Sequence, residues 1–580
     1  MAKPFRFTAS RAPIVQSEIQ PVHITGGPGD RLNIDFGQAM FGTLAFSANA
    51  PSPTRITVHL GEKLNAQGRV DRAPEGTIRY RAIEMDLSAG LHHYRATVPP
   101  DERSTRPPFA ILMPPEIGEV LPFRYAEIEH HDAAIVPASI RMIAAHVPFD
   151  DTASHFHSSD DTLNAVWALC RHSIKATSFL GIYVDGDRER IPYEGDAYIN
   201  QLCHYCMDAG VSYQMARHTL EYLIQRPTWF TDWLLHTVLM AWVDYQYTGQ
   251  LDTLHAFYDD IKAKTLIELA REDGLISTAD RSRTSLLDEK LHLADPCYSQ
   301  MKLYNDLVDW PPGSFTQGGI GERDNHEMLP INSVVNAIHY GTLLCMAELA
   351  KAAGNTQNHQ RFAAQAALLY DTFNRVFFDE KQGVYIDGEG SSHASLHSNM
   401  FPLAMGLVPR SRRNSVLAFV QSRGMACSVY GAQHLLDGLY NMGAADYALS
   451  LMTARHDRSW YHMIEQGSTV TLEAWAHRYK NNLDWNHAWG AAPGNIIPRR
   501  LMGVQPLQPG FASLLIAPQP ASLTYAFLRT TTPRGSVELL WEKQDNSAQL
   551  TITTPDNMPV QLDRSGIGEA EVILNGRRVE

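Results

Sequence analysis

The spacing of apolar residues changes twice along this chain, and that change limits the folds it can adopt. In the first part of the chain apolar residues alternate, as in "RITVHL", where Ile56, Val58 and Leu60 share one face. Clusters rich in Pro and small residues, such as "ANAPSPT", separate these segments. The pattern predicts an N-terminal antiparallel β-sandwich domain over residues 1–152.

From "FHSSDDTLNAVWALCRHSIKA" onward the spacing is helical. In "RFAAQAALLYDTFNRVFF" the apolar residues on one face are spaced four, three, four and four apart: Phe362, Ala366, Leu369, Phe373 and Phe377. About 340 residues of such segments have room for about twelve helices of average length. No strand–helix alternation is present, which argues against a TIM barrel or a doubly wound sheet. We therefore expect a central (α/α)6 toroid over residues 153–498.

Alternation returns after "RRLMGVQPLQPGF", most clearly in "GSVELLWEK", where Val537, Leu539 and Trp541 share a face. This segment predicts a C-terminal antiparallel β-sandwich over residues 499–580. The expected fold class is thus a multidomain α+β protein, with the toroid flanked by a β-sandwich domain on each side.

Charge and hydropathy exclude some classes of partner. The formal net charge of −14 disfavours nucleic acid, which needs clustered Lys and Arg. No apolar run reaches the roughly 18 residues of a membrane span. The N-terminus "MAKPFRFTASRAPIV" lacks the apolar core of a secretion signal, so we expect a cytoplasmic protein. The six cysteines show no disulfide or metal spacing, and we expect them to be buried small apolar residues.

Three loop segments combine aromatic rings with carboxylates and imidazoles. Their sequences are "GDRERIPYEGD" (186–196), "DWPPGSF" (309–315), and "SWYHMIEQGSTVTLEAW" (459–475) continued by "LDWNHAWGAAP" (483–493). Sugar rings stack on aromatic side chains, and sugar hydroxyls bind carboxylates, Asn and His. These segments predict a small-molecule glycoside as substrate.

The first of these segments crowds several carboxylates beside two arginines. Like charges placed close together keep one carboxyl protonated, and cleavage of a glycosidic bond needs one protonated and one ionised carboxyl. The same composition also fits a solvated, salt-bridged turn. Residue types alone leave both interpretations open.

The longer stretch "YVDGDRERIPYEGDA" resembles the signature of the α-L-rhamnosidases of glycoside hydrolase family 78, in which an Asp precedes Asp-Glu-Arg, an aromatic residue and Gly-Asp. "GSTVTLEAW" and "NHAWG" are similar to the second part of that signature. The β–(α/α)6–β order also matches, so the resemblance covers nearly the whole chain.

The resemblance implies an exo-acting, inverting glycoside hydrolase that releases terminal α-L-rhamnose from small rhamnosides. It assigns Glu189 as the general acid and Glu473 as the general base that activates water. It assigns Asp185 and Asp196 as substrate-binding aspartates and His487 as a site histidine.

The sequence departs from the family pattern beside these residues. Arg188 precedes Glu189 where the family has an Asp, and the spacing from Asp185 to Glu189 is shorter than usual. Glu194 is therefore an alternative acid, and Glu465 an alternative base.

The other predicted sugar contacts lie in the three loop segments or in a further stretch, "TWFTD" (228–232), where aromatic and acidic residues also stand together. They are Asp187, Arg190, Tyr193, Trp229, Asp232, Asp309, Trp310, Trp460, Glu465 and Trp485. In contrast, Trp233 and Trp242 belong to a strongly apolar helix, and we expect both to be core residues.

Other functions remain open. Another (α/α)6 carbohydrate-active enzyme, either a glycosidase of different sugar specificity, a phosphorylase or a lyase, fits the same layout, as does a non-catalytic sugar-binding protein. A phosphorylase would need a basic cluster near Glu473, and the sequence indicates none. We predict no cofactor and no catalytic metal, because His326, Glu327, His393 and His397 lack a further ligand at a suitable spacing. A homodimer is plausible, and no residue specifies a structural calcium.

Overall fold

The computed structural model describes residues 5–26, 31–129, 133–208, 210–278, 285–312, 322–545 and 547–579. Its N-terminal strands are β1 Val15–Ile19, β2 His23–Gly26, β3 Arg31–Ala50, β4 Thr54–Gly61, β5 Tyr80–Leu87, β6 Gly90–Arg95, β7 Leu121–Glu129 and β8 Ala134–His146. They form one connected antiparallel sheet in the order β1-β8-β3-β7-β4-β5, and β2 and β6 also pair with β3.

The long strand β3 organises this sheet. Its first half pairs with β7 and its second half with β8, and the register shifts between Asp35 and Met40. Shifts of this kind bend a strand, so β3 can pair with different strands along its length. Phe46, Val58 and Phe123 are fully buried in the core that the sheet encloses. The prediction of antiparallel strands in the N-terminal region is confirmed, and a sandwich arrangement stays a prediction.

Helices occupy most of the chain between the β domains. They are α1 Asp161–Ala176, α2 Glu194–Met207, α3 Val211–Gln225, α4 Thr231–Thr248, α5 Asp252–Ala263, α6 Ser285–Lys290, α7 Ser333–Ala352, α8 Thr356–Val376, α9 Leu396–Met405, α10 Arg413–Arg423, α11 Gly431–Asn441, α12 Ala445–Met452, α13 Trp460–Glu465 and α14 Pro493–Ile496. Short strands β9 His155–Ser158, β10 Phe378–Asp379 and β11 Val384–Tyr385 accompany them. The predicted change to a helical region is confirmed.

The described helices pack in a closed series. Helix α2 contacts α4, α4 contacts α7, α7 contacts α9, α9 contacts α11, and α14 contacts both α11 and α2. Helix α8 packs on α7 through its apolar face, where Phe362, Leu369 and Phe373 are fully buried. The apolar spacing identified this face because residues three and four apart lie on one side of a helix. A full toroid stays a prediction.

The C-terminal strands are β12 Val504–Gln508, β13 Ser513–Ile516, β14 Tyr525–Thr532, β15 Gly535–Gln544, β16 Ser547–Thr553, β17 Val560–Leu562, β18 Glu571–Leu574 and β19 Arg577–Val579. The larger sheet has the order β19-β18-β16-β15-β14-β9, and the smaller has β12-β13-β17. Pairs β16–β18 and β13–β17 are parallel. The antiparallel part of the prediction is therefore wrong for these pairs, because strand direction depends on how distant segments meet.

Strand β9 lies before the first helix in sequence but pairs with β14 of the C-terminal sheet. The buried core of the helical region runs without a break into that sheet, through residues such as Phe156, Ala526 and Leu528. Among the described residues, the helices are all too short or too polar to cross a membrane.

Candidate active site

A small pocket of about 100 Å³ opens where the segment before α2 meets the start of α4 and the loops around residues 310, 473 and 487. The side chains that line it are Asp185, Arg188, Glu189, Tyr193, Asp196, Phe230, Trp233, Leu307, Trp310, Glu473, His487 and Trp489. Carboxylates and basic groups line it together with aromatic rings. A concave site that combines aromatic side chains with a few converging polar groups is typical of a site for a small ligand.

The acidic segment folds as a tight turn followed by a helix. The Ile191 N–H donates to the Asp185 side chain (2.9 Å), and the Asp185 N–H donates to the Ile191 carbonyl (3.0 Å), which closes the turn. Helix α2 then begins at Glu194, with acidic residues in its first turn, where the helix dipole favours them. Gly195 leaves room for an indole: a Cβ there would lie 2.8 Å from Nε1 of Trp233.

Glu189 lies at the edge of the pocket with about 37% of its side chain exposed. The Tyr193 hydroxyl donates a hydrogen bond of 2.7 Å to Glu189 Oε2, and Arg188 Nε lies 3.3 Å from Oε1. Burial, reinforced by the neighbouring Glu189 and Asp185 carboxylates, raises the pKa of the Tyr193 hydroxyl well above its usual value, so it remains a donor. Glu189 is thus oriented by two donors and reachable from solvent.

Glu473 lies deeper and is held by two cations. Arg188 donates from Nη1 to Oε2 (2.7 Å) and from Nη2 to Oε1 (2.8 Å), and Lys480 Nζ lies 3.0 Å from Oε1. Burial by itself raises the pKa of this carboxyl, but the charges of Arg188 and Lys480 outweigh it and lower the pKa to about 2. Glu473 is therefore ionised throughout the physiological range.

The other ionisable residues that line the pocket are His487, Asp196 and Asp185, and all three are buried. His487 Nε2 lies 2.6 Å from Asp196 and its Nδ1 lies 3.4 Å from Asp484. Burial lowers the pKa of His487, but these two carboxylates outweigh it and raise the pKa well above its usual value. Burial, together with the charge of Glu189, raises the pKa of Asp185 well above its usual value. Asp185 Oδ2 is buried without a hydrogen-bond partner among the described residues, so it can receive a ligand hydroxyl.

The sequence of the central region matches a known family. Residues 151–501 match the bacterial alpha-L-rhamnosidase six-hairpin glycosidase domain, and this match covers more than half of the chain. The chain belongs to this family. Residues 503–571 match the bacterial alpha-L-rhamnosidase C-terminal domain, and residues 27–84 match the bacterial alpha-L-rhamnosidase concanavalin-like domain.

Curated and solved relatives agree with this family. An alpha-L-rhamnosidase of Alteromonas sp. (strain LOR) is 23% identical over 76% of this chain and 48% of the relative, and one of Formosa agariphila is 20% identical over 98% of this chain and 59% of the relative. The chain thus spans about half of the length of the first of these relatives and under two thirds of the second. The structure of a Streptomyces avermitilis alpha-L-rhamnosidase complexed with L-rhamnose superposes with a TM-score of 0.73 at 17% identity, over 95% of this chain and 50% of that one. This likeness shows a shared fold.

The predicted site residues divide into those that line the pocket and those that do not. The pocket brings together Asp185, Glu189, Tyr193, Asp196, Trp310, Glu473 and His487. It also contains residues outside the predicted set, namely Arg188, Phe230, Trp233, Leu307 and Trp489. Trp489 lies two residues after His487, in the segment "NHAWG" that resembles the family signature. This segment could therefore have identified Trp489 as a site residue.

Trp233 is buried in the core, as expected, and its indole also lines the pocket. It lies in the first turn of α4, where the helix end opens onto the site, and its ring contacts the rings of Tyr193 (5.4 Å between centroids) and Trp489 (6.5 Å). The apolar spacing could not reveal this, because α4 is apolar on most sides. Trp242, further along the same helix, is half-buried and packs against the core as expected.

Asp187 and Arg190 lie outside the pocket and shape the turn. Asp187 is buried between Arg79 Nε (2.5 Å) and Arg190 Nη2 (2.8 Å), and Arg190 also binds Glu119 (2.9 Å). Arg190 has a left-handed backbone with φ of 54°, which these ion pairs hold in place. Both charges are therefore neutralised by ion pairs within the protein, and we assign neither residue to ligand binding.

Asp232 and Asp309 also bind protein groups. Asp232 accepts the N–H groups of Leu307 and Val308 (3.0 and 2.9 Å), and Asp309 binds His397 (2.7 Å) and the N–H of Trp310 (2.8 Å). Both carboxylates thus hold the loop that presents the pocket residues Leu307 and Trp310. The sequence identified these two aspartates, but it could not show that their carboxylates accept hydrogen bonds from backbone N–H groups.

Four further predicted residues lie away from the pocket. Trp229 packs on Phe109, and Trp460 is fully buried against Trp475. Trp485 is buried beneath Lys63, and Glu465 is about half exposed on α13.

The alternative acid Glu194 is fully buried and accepts hydrogen bonds from the Thr228 N–H (3.0 Å) and hydroxyl (2.5 Å). Neither it nor the alternative base Glu465 lines the pocket. Gly313, Ser314 and Phe315 of the second predicted segment lie outside the described residues.

The basic groups around Glu473 correct one expectation. Arg188 and Lys480 form the cationic cluster that the sequence had not indicated: Arg188 comes from a distant segment, and Lys480 from the loop that follows Glu473. Glu473, Asp484 and His487 are also close enough to share a metal ion. The donor set does not fit one, because Glu473 is already neutralised by two cations and His487 carries a proton between two carboxylates.

Proposed function

We propose that this protein is an exo-acting, inverting α-L-rhamnosidase for small rhamnosides. The observation that carries the proposal is the presence of two carboxylates, Glu189 and Glu473, in one aromatic-walled pocket on either side of the Arg188 guanidinium. Membership of the rhamnosidase family supports rhamnose as the sugar that is released. The closed series of helix contacts supports a toroid that carries the site at one end.

Glu189 protonates the leaving oxygen in this proposal. Its partial exposure suits a general acid, since the leaving group departs toward solvent. Tyr193 orients the carboxyl, and Asp185, whose second oxygen is unpaired, accepts a sugar hydroxyl. The proton that Glu189 donates is restored from solvent after the product leaves.

Glu473 takes a proton from the attacking water on the opposite face of the sugar. Its ionised state is the state that a base requires, and Arg188 and Lys480 keep it so. An inverting pair needs carboxyls about 6.5–9.5 Å apart, which leaves space for that water. His487 and Asp196 complete the wall that binds the ring hydroxyls.

The size of the pocket supports release of a single terminal sugar. A cavity of about 100 Å³ that aromatic rings help to line favours one ring over a chain of sugars. Short rhamnosides follow as the proposed substrates. A homodimer stays a prediction.

The test is hydrolysis of p-nitrophenyl glycosides, with α-L-rhamnoside beside L-arabinosides, D-mannoside and D-glucuronide. We expect selective release from the rhamnoside, and NMR of the first product should show β-L-rhamnose. Release from another sugar would reject the specificity, and α-L-rhamnose as first product would reject inversion. The assay is repeated with inorganic phosphate because Arg188 and Lys480 are cationic; phosphate-dependent turnover would establish a phosphorylase instead.

A further inference from the structure

We propose that the loop between β4 and β5 of the N-terminal β domain, residues 62–79, positions the two candidate catalytic carboxylates, and that Arg79 is its principal positioning residue. We call these residues the β4–β5 loop. The inference rests on the proposed function for the roles of Glu189 and Glu473. It gives the N-terminal β domain a role in turnover: this domain contains neither carboxylate, but it holds the segments of both in position.

Arg79 binds the segment that carries Glu189. Its guanidinium is 4% exposed, with Nε 2.5 Å from the Asp187 carboxylate and Nη2 donating to the Asp187 carbonyl (2.8 Å). Its third nitrogen, Nη1, binds Asp101 (3.2 Å), and this ion pair helps to hold the guanidinium in place. One buried side chain thus holds both the backbone and the side chain of Asp187, two residues before Glu189.

The same loop binds the segment that follows Glu473. The Thr77 N–H donates to the Leu483 carbonyl (3.0 Å), and the Thr77 hydroxyl donates to the Asn482 carbonyl (2.9 Å). A Cβ at Gly76 would lie 2.6 Å from the Leu483 oxygen, so the two backbones meet directly. The Asn482 carbonyl is also an acceptor for Arg188. Thr77 therefore steadies the group that orients Arg188 against Glu473.

A buried carboxyl joins the two halves of this contact. Glu62 accepts the Arg79 N–H (2.7 Å) and the Asn486 side-chain amide (3.1 Å). The side-chain oxygen of Asn486, Oδ1, accepts a hydrogen bond from the Asp187 N–H (2.8 Å). A continuous chain of hydrogen bonds thus runs from the β4–β5 loop through Asn486 to the turn that presents Glu189.

This arrangement fixes the separation of the two carboxylates from outside the helical region. Glu189 and Glu473 belong to segments distant in sequence, and the β4–β5 loop binds both segments at once. Displacement of a catalytic group by about 1 Å costs on the order of 100-fold in rate. A change that loosens the loop is therefore expected to lower kcat more than it raises KM.

The test compares Arg79→Lys with Arg81→Lys. Lysine keeps the charge but cannot bind Asp187 and Asp101 in the fork geometry of arginine. Arg81 is the matched control, since it binds the same Asp101 (3.3 Å) but is about one-third exposed. We expect kcat to fall roughly 10- to 100-fold in Arg79→Lys, with KM within twofold, and both constants to stay within twofold in Arg81→Lys. Thr77→Val, which removes one hydroxyl, is a milder second variant with an expected loss of roughly 3- to 10-fold.

Hydrogen–deuterium exchange provides a readout that does not need turnover. Residues 185–191 and 480–487 should exchange faster in Arg79→Lys than in wild type or Arg81→Lys. If the wild type hydrolyses no rhamnoside, the proposed function fails while the exchange comparison still tests the positioning. Unchanged kcat and unchanged exchange in folded Arg79→Lys and Thr77→Val would overturn the proposal, as would equal losses in Arg79→Lys and Arg81→Lys.

Discussion

Arg188 binds both carboxylate oxygens of Glu473, at 2.7 and 2.8 Å, while its Nε lies 3.3 Å from Glu189. One guanidinium therefore contacts both candidate catalytic carboxylates. Bidentate pairs of this kind fix geometry as well as charge. In the family signature that this segment resembles, the position of Arg188 is an Asp.

Glu189→Gln is expected to lower kcat roughly 100- to 10,000-fold, the usual contribution of general acid catalysis. The loss should be larger for alkyl rhamnosides than for p-nitrophenyl rhamnoside, because nitrophenolate leaves without much help from an acid. Kinetics on the two substrates measure this difference. Glu465→Gln is the control, since Glu465 is about half exposed and lies outside the pocket. An equal loss on both substrates would remove Glu189 from the acid role.

Glu473→Gln should instead lower kcat by a similar factor on every rhamnoside, regardless of the leaving group. The reason is that the base acts on water and not on the departing oxygen. Parallel kcat measurements on nitrophenyl and alkyl rhamnosides check this. A Glu473→Gln enzyme with near-normal turnover would show that another group activates the water.

The pH dependence should report the pairing of Glu473. Because its pKa is about 2, the acidic limb of kcat/KM due to this base lies below the usual assay range. Arg188→Gln removes a cation from a buried carboxyl, which raises the pKa, so activity at pH 4–5 should fall relative to pH 7. Profiles from pH 3 to 8 measure the shift, and Arg55→Gln, which removes an exposed surface pair with Asp86, is the control. A profile unchanged by Arg188→Gln would contradict the role of Glu473.

The same pair should affect acid stability. Glu473 has a depressed pKa in the folded protein, so its ionised form stabilises the fold above the unfolded pKa of about 4.3. That contribution is lost as the pH falls through about 2. Arg188→Gln should therefore unfold at a higher pH than wild type in acid titrations followed by circular dichroism. Coincident acid transitions would show that the pair contributes little to stability.

Trp233→Leu is expected to raise KM for rhamnosides about tenfold, equivalent to about 1.4 kcal/mol of lost binding. The indole is one of the aromatic groups that line the pocket, and aromatic faces are the surfaces on which sugar rings stack. Trp242→Leu, on the same helix but away from this pocket, is the matched control and should leave KM unchanged. Both variants are expected to lose some thermal stability, so KM and melting temperature are measured together. Equal KM values in the two variants would place the sugar elsewhere.

Much of the architecture could be predicted from local spacing. Alternation and helical periodicity depend on residues a few positions apart, so the β, helical, β order and the apolar face of α8 followed directly from the sequence. The carboxylates Glu189 and Glu473 were found because short segments around them resemble a family signature. Strand partners were less accessible: β9 joins a sheet whose other strands lie more than 360 residues later in sequence.

By itself the sequence determined the order of secondary structure, the family, and the two carboxylates that the pocket brings together. The tertiary structure decided what surrounds them. Arg188 and Glu473 are 285 residues apart, and no local pattern predicts that they pair. Asp232 and Asp309 became loop anchors and Trp233 a pocket wall for the same reason. Which groups reach a buried carboxylate or an open helix end depends on contacts between distant segments, and these form only when the chain adopts its tertiary structure.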